Sequence, residues 1–486
     1  MSGLRKNIRK YELFLLLFFT NAISMVMELI AARILSPVFG SSNIVWTVII
    51  SMMLFANGAG NYLGGVFSDK YDLDRLKVFL LLLSGVSTLI IAVINSLVFG
   101  SYGTIYSETE HNAAIAVVML LMIPCTSIGM LSPVINKAQL RDSDNIGIKS
   151  GIIYAVITAG GLFGTLIGGL VLIPAFGCST LLFAIAGSLS LISCAYLVTE
   201  KKKSVIAFIA VVNAIVVAVS IPGMFELIRI NSDKGDIIVV DTNESYVRIY
   251  DDRMYGEPIR MFNISGGFSS ACYKDESKRD ELVFAYTKAY DMVLEKKDNA
   301  YSYCMIGGAG YSYPRYLISH FPDKTMDVVE IDEGITEAAK KYFYLQDFID
   351  EYGTDRLRLY NDDGRLFLAE SGRTYDVILN DAFTGDIPAR SLSTREAAVI
   401  IKNSLAPDGV YASNVLSETS DKFLKSEIKT LMAVFKYVWA IDIASGNWLV
   451  IASDKDYGFD SEITDLSDSV IFTDDYAPVD YFSKVK

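Results

Sequence analysis

Four short stretches in the second half of the chain carry residues whose types and spacing could do chemistry. Gly307-Gly308-Ala309-Gly310 is a run where backbone can approach a ligand with no side chain in the way. Glu330, Asp362-Asp363-Gly364 and Asn380-Asp381 then supply carboxylates. Any one of these acids has an ordinary explanation as a helix cap or turn residue. As a set they are specific, because each follows a short apolar run that reads as a strand. No Lys or Arg lies within 307–312, which argues against phosphate binding at the Gly-rich turn. Glu330 stands 20 residues after Gly310, where an acid accepts the two hydroxyls of a ribose. A carboxylate at 362–363 suits the exocyclic amine of adenine. The ligand read from these residues is a nucleoside without phosphates. S-adenosylmethionine (SAM) or its decarboxylated form fits, since acidic walls tolerate a positively charged sulfonium.

The elements that must hold these residues follow from hydrophobic runs and turn signals. Tyr303-Cys304-Met305-Ile306 reads as a buried strand, with further strands at 326–331, 357–360, 375–379 and 410–414. Helices are expected at 313–320, 334–343 and 394–405. Alternation of this kind builds an α/β sheet wound by right-handed crossovers, and such sheets bind ligands at the carboxyl ends of their strands. Ahead of it, the runs at 237–240, 246–250 and 260–264 are separated by turn residues and predict a small antiparallel β-subdomain. One helix is expected at about 278–295.

The first half is a different kind of polypeptide. The 486 residues are 52% hydrophobic and 20% charged, against about 25% charged for an ordinary soluble domain; mean hydropathy is +0.35. Residues 1–230 hold 15 Lys and Arg against 11 Asp and Glu, whereas residues 231–486 hold 28 against 45. The acidic second half disfavours nucleic acid, whose phosphates need a basic surface. Seven apolar stretches, at about 12–32, 44–67, 77–99, 112–135, 151–173, 178–198 and 204–225, approach the ~20 residues needed to cross a bilayer. The first is too long for a cleaved signal peptide and lacks a small-residue cleavage site. Lys and Arg alternate between the connections so that the N-terminus is expected on the cytoplasmic side. Seven crossings would deliver the second half outside, yet SAM is a cytosolic metabolite; the cofactor favours a cytoplasmic domain in a multi-pass cell-membrane protein.

Other potential chemistry is thin. Five cysteines include no C-x-x-C pair, and His111 and His320 have no neighbours at metal-ligand spacing, so disulfide frameworks, zinc sites and histidine triads are not expected. Glu28 lies within the first apolar stretch with Arg33 five residues on, a depth at which an acid needs a partner or a cavity. Two glycine clusters, around Gly58–Gly65 and Gly160–Gly169 by number, let helices approach closely and hint at a transporter-type internal repeat.

Ile306-Gly307-Gly308-Ala309-Gly310, Val328-Val329-Glu330-Ile331-Asp332, Asn361-Asp362-Asp363-Gly364-Arg365, Tyr375-Asp376-Val377-Ile378-Leu379-Asn380-Asp381-Ala382-Phe383 and Leu405-Ala406-Pro407-Asp408-Gly409-Val410 together resemble the spermidine synthase (polyamine aminopropyltransferase) family. Thr473-Asp474-Asp475-Tyr476-Ala477-Pro478 matches its membrane-fused branch. The resemblance implies an α-helical multi-span membrane domain (1–230), a small antiparallel β-subdomain (231–275) and a Rossmann-like methyltransferase fold (276–486). It implies a nucleoside site of Gly307, Gly308, Gly310, Glu330, Asp332, Asp362 and Asp363. Asp381 becomes the general base, with Tyr246, Asp386 and Asp475 toward the acceptor. The implied activity is aminopropyl transfer from decarboxylated SAM to a small-molecule amine or a membrane-associated acceptor, without a metal, by a homodimer like the soluble relatives. The chain departs from the soluble pattern in two places: Thr384 stands where a second acid follows the base by three residues, and Val247 follows Tyr246 in place of glutamine. These departures leave two alternatives open. One is other SAM chemistry, namely methyl or aminocarboxypropyl transfer, cleavage or cyclisation. The other is a transporter with a ligand-binding C-terminal module.

Overall fold

The computed structural model describes residues 2–39, 43–99, 108–140, 145–196, 203–224, 238–242, 245–264, 267–417, 421–444, 446–461 and 465–484. The chain divides into two compact units, Met1–Lys234 and Gly235–Lys486.

The first unit is helical: α1 (Ser2–Phe39), α2 (Asn43–Lys70), α3 (Leu73–Phe99), α4 (Glu108–Leu140), α5 (Ile146–Ile167), α6 (Ile173–Tyr196) and α7 (Lys203–Met224). Five stretches are long and apolar enough to cross a membrane: Tyr11–Ile34, Leu73–Asn95, Met119–Leu140, Ile146–Leu172 and Ala175–Tyr196. The expected stretches at 44–67 and 204–225 are helical but not among the five; the first carries Asn57 and Asn61, and only Ile209–Ile221 of the second is a described apolar run. The connection expected at 174–177 is a kink at Gly177, whose φ of 71° lies outside helical space, preceded by a π-helical turn at Gly168–Leu172. The two glycine clusters have a packing role. A Cβ on Gly60 would sit 2.4 Å from the carbonyl oxygen of Thr126 on α4, and one on Gly160 would sit 2.3 Å from that of Phe18 on α1. Glycine is what lets these backbones touch.

The second unit opens with the antiparallel sheet β1 (Ile238–Asp241), β2 (Tyr246–Met254), β3 (Glu257–Ile264) and β4 (Gly267–Tyr273), paired in chain order. The single helix expected at 278–295 is a 3₁₀ turn followed by two short helices, α8 (Ala285–Ala289) and α9 (Asp291–Lys296). Phe284 is extended at φ −79°, ψ 144° and breaks the run, and its ring stacks on Tyr286 at 5.8 Å. The segment buries aromatic rings rather than presenting one amphipathic face.

Thereafter the α/β alternation holds: β5 (Ser302–Ile306), α10 (Ser312–His320), β6 (Thr325–Glu330), α11 (Glu333–Tyr342), α12 (Leu345–Tyr352), β7 (Leu357–Asn361), α13 (Gly364–Glu370) and β8 (Tyr375–Asn380). A two-residue-per-strand hairpin, β9 (Phe383–Thr384) with β10 (Ile387–Pro388), precedes α14 (Arg395–Asn403), β11 (Leu405–Leu416), α15 (Asp421–Met432), β12 (Tyr437–Ala444), β13 (Asn447–Ser453) and α16 (Val479–Lys484). The seven-stranded sheet runs β12-β13-β11-β8-β5-β6-β7, parallel from β11 to β7, with β13 antiparallel to both its neighbours. This is the order of a Rossmann-like methyltransferase fold. The winding direction reverses between β5 and β8, and such switch points are where open α/β sheets hold ligands.

Candidate active site

Gly307 and Asp381 leave the two strands that flank the switch point. The Asp381 N–H donates to the carbonyl of Ile306 at 2.9 Å, while the Gly307 N–H donates to Val329 at 2.9 Å. Gly307 has φ +90°, and a Cβ there would lie 2.5 Å from the Asp381 carbonyl oxygen. Glycine at 307 is thus dictated by the closeness of the β5 and β8 exits. Gly308 and Gly310 likewise face the protein itself, with Cβ positions 2.6 Å from the Tyr311 ring and 2.7 Å from Ser270. The turn expected to open backbone toward a ligand also uses its glycines for internal packing.

Glu330 completes that turn. Its Oε2 accepts N–H bonds from Gly308 at 2.8 Å and Ala309 at 3.2 Å, and its Oε1 accepts from Asp332 at 3.1 Å. Burial raises its pKa, against those three bonds. Asp332, expected as a nucleoside contact, makes bonds to the protein with both oxygens. Its Oδ1 caps α11 through Gly334 N–H at 3.0 Å and its Oδ2 accepts the Thr242 hydroxyl. Both oxygens bind protein, and they tie the β-subdomain to the sheet. Asp363 caps α13 with Oδ1, which accepts Arg365 and Leu366 N–H at 2.9 and 3.0 Å. Exposed Asp362 accepts the Asp363 N–H at 2.8 Å.

Two apolar residues beside these acids are exposed, Ile331 at 58% and Leu366 at 53%. Ile331 follows Glu330 at the exit of β6, and Leu366 lies in the first turn of α13, which Asp363 caps. Exposed apolar surface beside a carboxylate suits a planar heteroaromatic ring. Hydrophobic patterning alone had assigned Ile331 to a strand and gave Leu366 no role.

Asp381 has the most developed surroundings. Its Oδ1 accepts from Asn414 Nδ2 on β11 at 2.9 Å, and the hydroxyls of Tyr286 and Tyr290 lie beside the carboxylate. Burial pushes its pKa up to about 6, the hydrogen bonds acting in the opposite sense. Asn380 turns away from it: Nδ2 donates to Tyr411 Oη at 2.9 Å and to Ser413 Oγ at 3.3 Å. Tyr286, Tyr290 and Asn414 carry no motif, and only the fold brings them to Asp381.

The acceptor-side residues are less gathered. Asp386, at the tip of the β9–β10 hairpin, is exposed, and its Oδ1 lies 2.8 Å from where a Cβ on Gly267 of β4 would be. The hairpin therefore reaches the β-subdomain. Asp475 is exposed, and its neighbour Asp474 makes the contacts instead. Asp474 takes a two-point bond from Arg365, at 2.7 and 2.6 Å, and accepts the Thr394 hydroxyl at 2.7 Å. Arg365 holds its pKa down to about 2. This clasp fixes the C-terminal segment over the start of α13. Tyr246 begins β2, and its side chain lies outside the described residues. Among the described residues no three His, Cys, Asp or Glu side chains are grouped to hold a metal ion.

Residues 284–468 match the family described as the spermine/spermidine synthase domain. The matched residues lie within the second unit. The domain is 33% identical over 153 residues to a polyamine aminopropyltransferase of Vibrio vulnificus, a match covering 30% of this chain and 48% of that one. A probable polyamine aminopropyl transferase of Bifidobacterium longum is 31% identical over 178 residues, 36% of each chain. These matches span about half the length, or less, of those relatives. Polyamine aminopropyltransferase 2 of Aquifex aeolicus aligns over 475 residues at 22% identity, covering 92% of this chain and 88% of that one, so its similarity includes the helical unit. Among solved structures, a probable spermidine synthase from Corynebacterium glutamicum covers 47% of this chain and 83% of its own, with 23% identity and a TM-score of 0.40.

Proposed function

We propose that this chain is a membrane-anchored aminopropyltransferase that moves the aminopropyl group of decarboxylated SAM to an amine. The observation that carries this reading is Asp381, a half-buried carboxylate at the switch point with a pKa raised to about 6. The amine nitrogen attacks the propyl carbon bonded to the sulfonium. A C–N bond forms, the C–S bond breaks with its electron pair left on sulfur, and methylthioadenosine departs as a neutral thioether. The nitrogen loses a proton to Asp381. An amine is mostly protonated near neutral pH, with a reference pKa of about 10.4, so a carboxylate beside it first holds the ammonium and then accepts the proton. Glu330 shapes the Gly-rich turn, Asp363 and the faces of Ile331 and Leu366 take the nucleoside, and alignment for in-line displacement supplies much of the rate.

The test uses the full chain in detergent or lipid discs, with decarboxylated SAM, SAM and a panel of amines. Asp381→Asn should lower turnover about 100-fold or more while nucleoside binding, followed by calorimetry, is kept. Equal turnover in that variant removes the base assignment. Thr384, where a second acid stands in the soluble pattern, favours a second reading in which the pocket transfers a different group. S-adenosylhomocysteine as product would establish methyl transfer. Methylthioadenosine with a carboxylated adduct would establish aminocarboxypropyl transfer.

A further inference from the structure

Asp363 spends half of its carboxylate on the protein. Its Oδ1 accepts the N–H groups of Arg365 and Leu366 at 2.9 and 3.0 Å, while its Oδ2 accepts no hydrogen bond among the described residues. That second oxygen can meet the exocyclic amine of an adenine only if the first turn of α13 keeps its place. A helix of seven residues has little stability of its own and takes its direction from its anchors. On the inner side Gly364 packs so closely on β5 that a Cβ would lie 2.2 Å from Ile306 Cγ2, and Phe367 and Leu368 are buried. On the outer side the anchor is Arg365.

Arg365 is bonded at both ends. Its backbone N–H goes to Asp363, and its guanidinium makes the two-point bond to Asp474, 109 residues further along the chain. Its Nη1 also donates to the carbonyl of Ser391 at 3.2 Å. Asp474 is itself immobilised. The Thr394 hydroxyl donates to its Oδ1 at 2.7 Å, its N–H donates to Glu396 Oε2 at 3.0 Å, and its carbonyl accepts from Arg390 Nη2 at 3.1 Å. It stands in a tight turn closed by reciprocal N–H bonds between Thr473 and Tyr476, each 3.0 Å. The contacts from Asp363 through Arg365 to Asp474 therefore end on a fixed point. With side chains 21% and 47% exposed, the ion pair contributes little to global stability, but its two parallel bonds set a direction that a single contact would not.

We propose that Arg365 is the positioning residue of Asp363: clasped by Asp474, it holds the first turn of α13 so that the second oxygen of Asp363 reads the exocyclic amine of the donor's adenine. This rests on the reading of Asp363 as a nucleoside contact. The C-terminal turn thereby sets base selectivity through Arg365.

Calorimetry on the full chain in detergent, with methylthioadenosine and with methylthioinosine, whose carbonyl replaces the exocyclic amine, separates this from a structural role. The parent should favour the adenine compound. Arg365→Ala should narrow that preference about tenfold and raise KM for the donor by a similar factor, with kcat and the acceptor KM kept. Arg365→Lys keeps the charge but loses the fork, and should recover part of the preference. Should Arg365→Ala fail to fold, Asp474→Asn removes the charge at constant volume and should narrow the preference in the same way. Arg373→Ala is the control: that arginine also pairs with an aspartate, Asp327 at 2.5 Å, but beside Tyr375 at the start of β8 rather than at a strand exit. It should keep the parent's preference even where its unfolding midpoint falls. An unchanged preference in Arg365→Ala and Asp474→Asn, or an equal loss in Arg373→Ala, overturns the proposal. A parent that binds both compounds alike, or Asp363→Asn with the parent's preference, would instead overturn the reading of Asp363 on which it stands.

Discussion

On the proposed reading Asp381 would bind the amine and accept its proton only while ionised, which sets the sign of its pH dependence. With a pKa raised to about 6, activity should be complete above that value and fall as the pH drops through it. An unperturbed aspartate, near 3.9, would keep activity down to about pH 4. A kcat/KM profile flat between pH 7 and 5 would therefore show that the carboxylate is better solvated than its contacts indicate. The residues around it divide by how visible they are in sequence. Glu330, Asp363 and Asp381 are legible because each ends an apolar run at a predictable place. Tyr286, Tyr290 and Asn414 are not, because their nearness to Asp381 depends on contacts between segments that are far apart in the chain. The bond between Asp332 and Thr242, 90 residues away, was not legible either.

The Gly-rich turn shows how an element is fixed by its neighbour. Gly307 at φ +90° faces a carbonyl 2.5 Å from any added Cβ. Gly307→Ala must therefore strain its backbone, at ~1–3 kcal/mol, and also push the β5 and β8 exits apart. The expected result is a lower unfolding midpoint for the second unit and loss of both nucleoside binding and turnover. An alanine variant that unfolds and binds like the parent would mean these exits are not in contact. The strand–helix alternation that carries the acids followed from hydrophobic runs and turn residues, whereas the order of the strands in the sheet did not. The β12–β13 hairpin lay beyond the sequence reading because joining β13 antiparallel to β11 is a long-range choice. The 278–295 segment was misread as one helix because buried aromatic anchors, rather than helical periodicity, set its course. Asp474 and Asp475 are adjacent acids, and only packing distinguishes the one that clasps Arg365.

At the scale of the whole chain, if the apolar helices cross a membrane, their number decides on which side the second unit lies. The lysine and arginine pattern places the N-terminus in the cytoplasm, and seven crossings from there would put residues after 235 outside. Five described helices satisfy the length and apolarity of a crossing, and α2 and α7 are not among them. The proposed donor, decarboxylated SAM, would come from the cytosol and carries a fixed positive charge on sulfur, which an apolar bilayer excludes. An enzyme on the far side would need its donor carried across, whereas one on the near side needs only an even number of crossings before residue 235. We expect the near side. Single cysteines introduced at exposed positions such as Tyr255 and Tyr437 should resist a membrane-impermeant thiol reagent in intact cells and react after permeabilisation. The endogenous cysteines of the second unit, Cys272 and Cys304, are buried and give little background. Labelling in intact cells would mean an odd number of crossings, and the helical unit would then have to deliver the donor to the far side; vesicles holding the full chain should in that case accumulate the nucleoside.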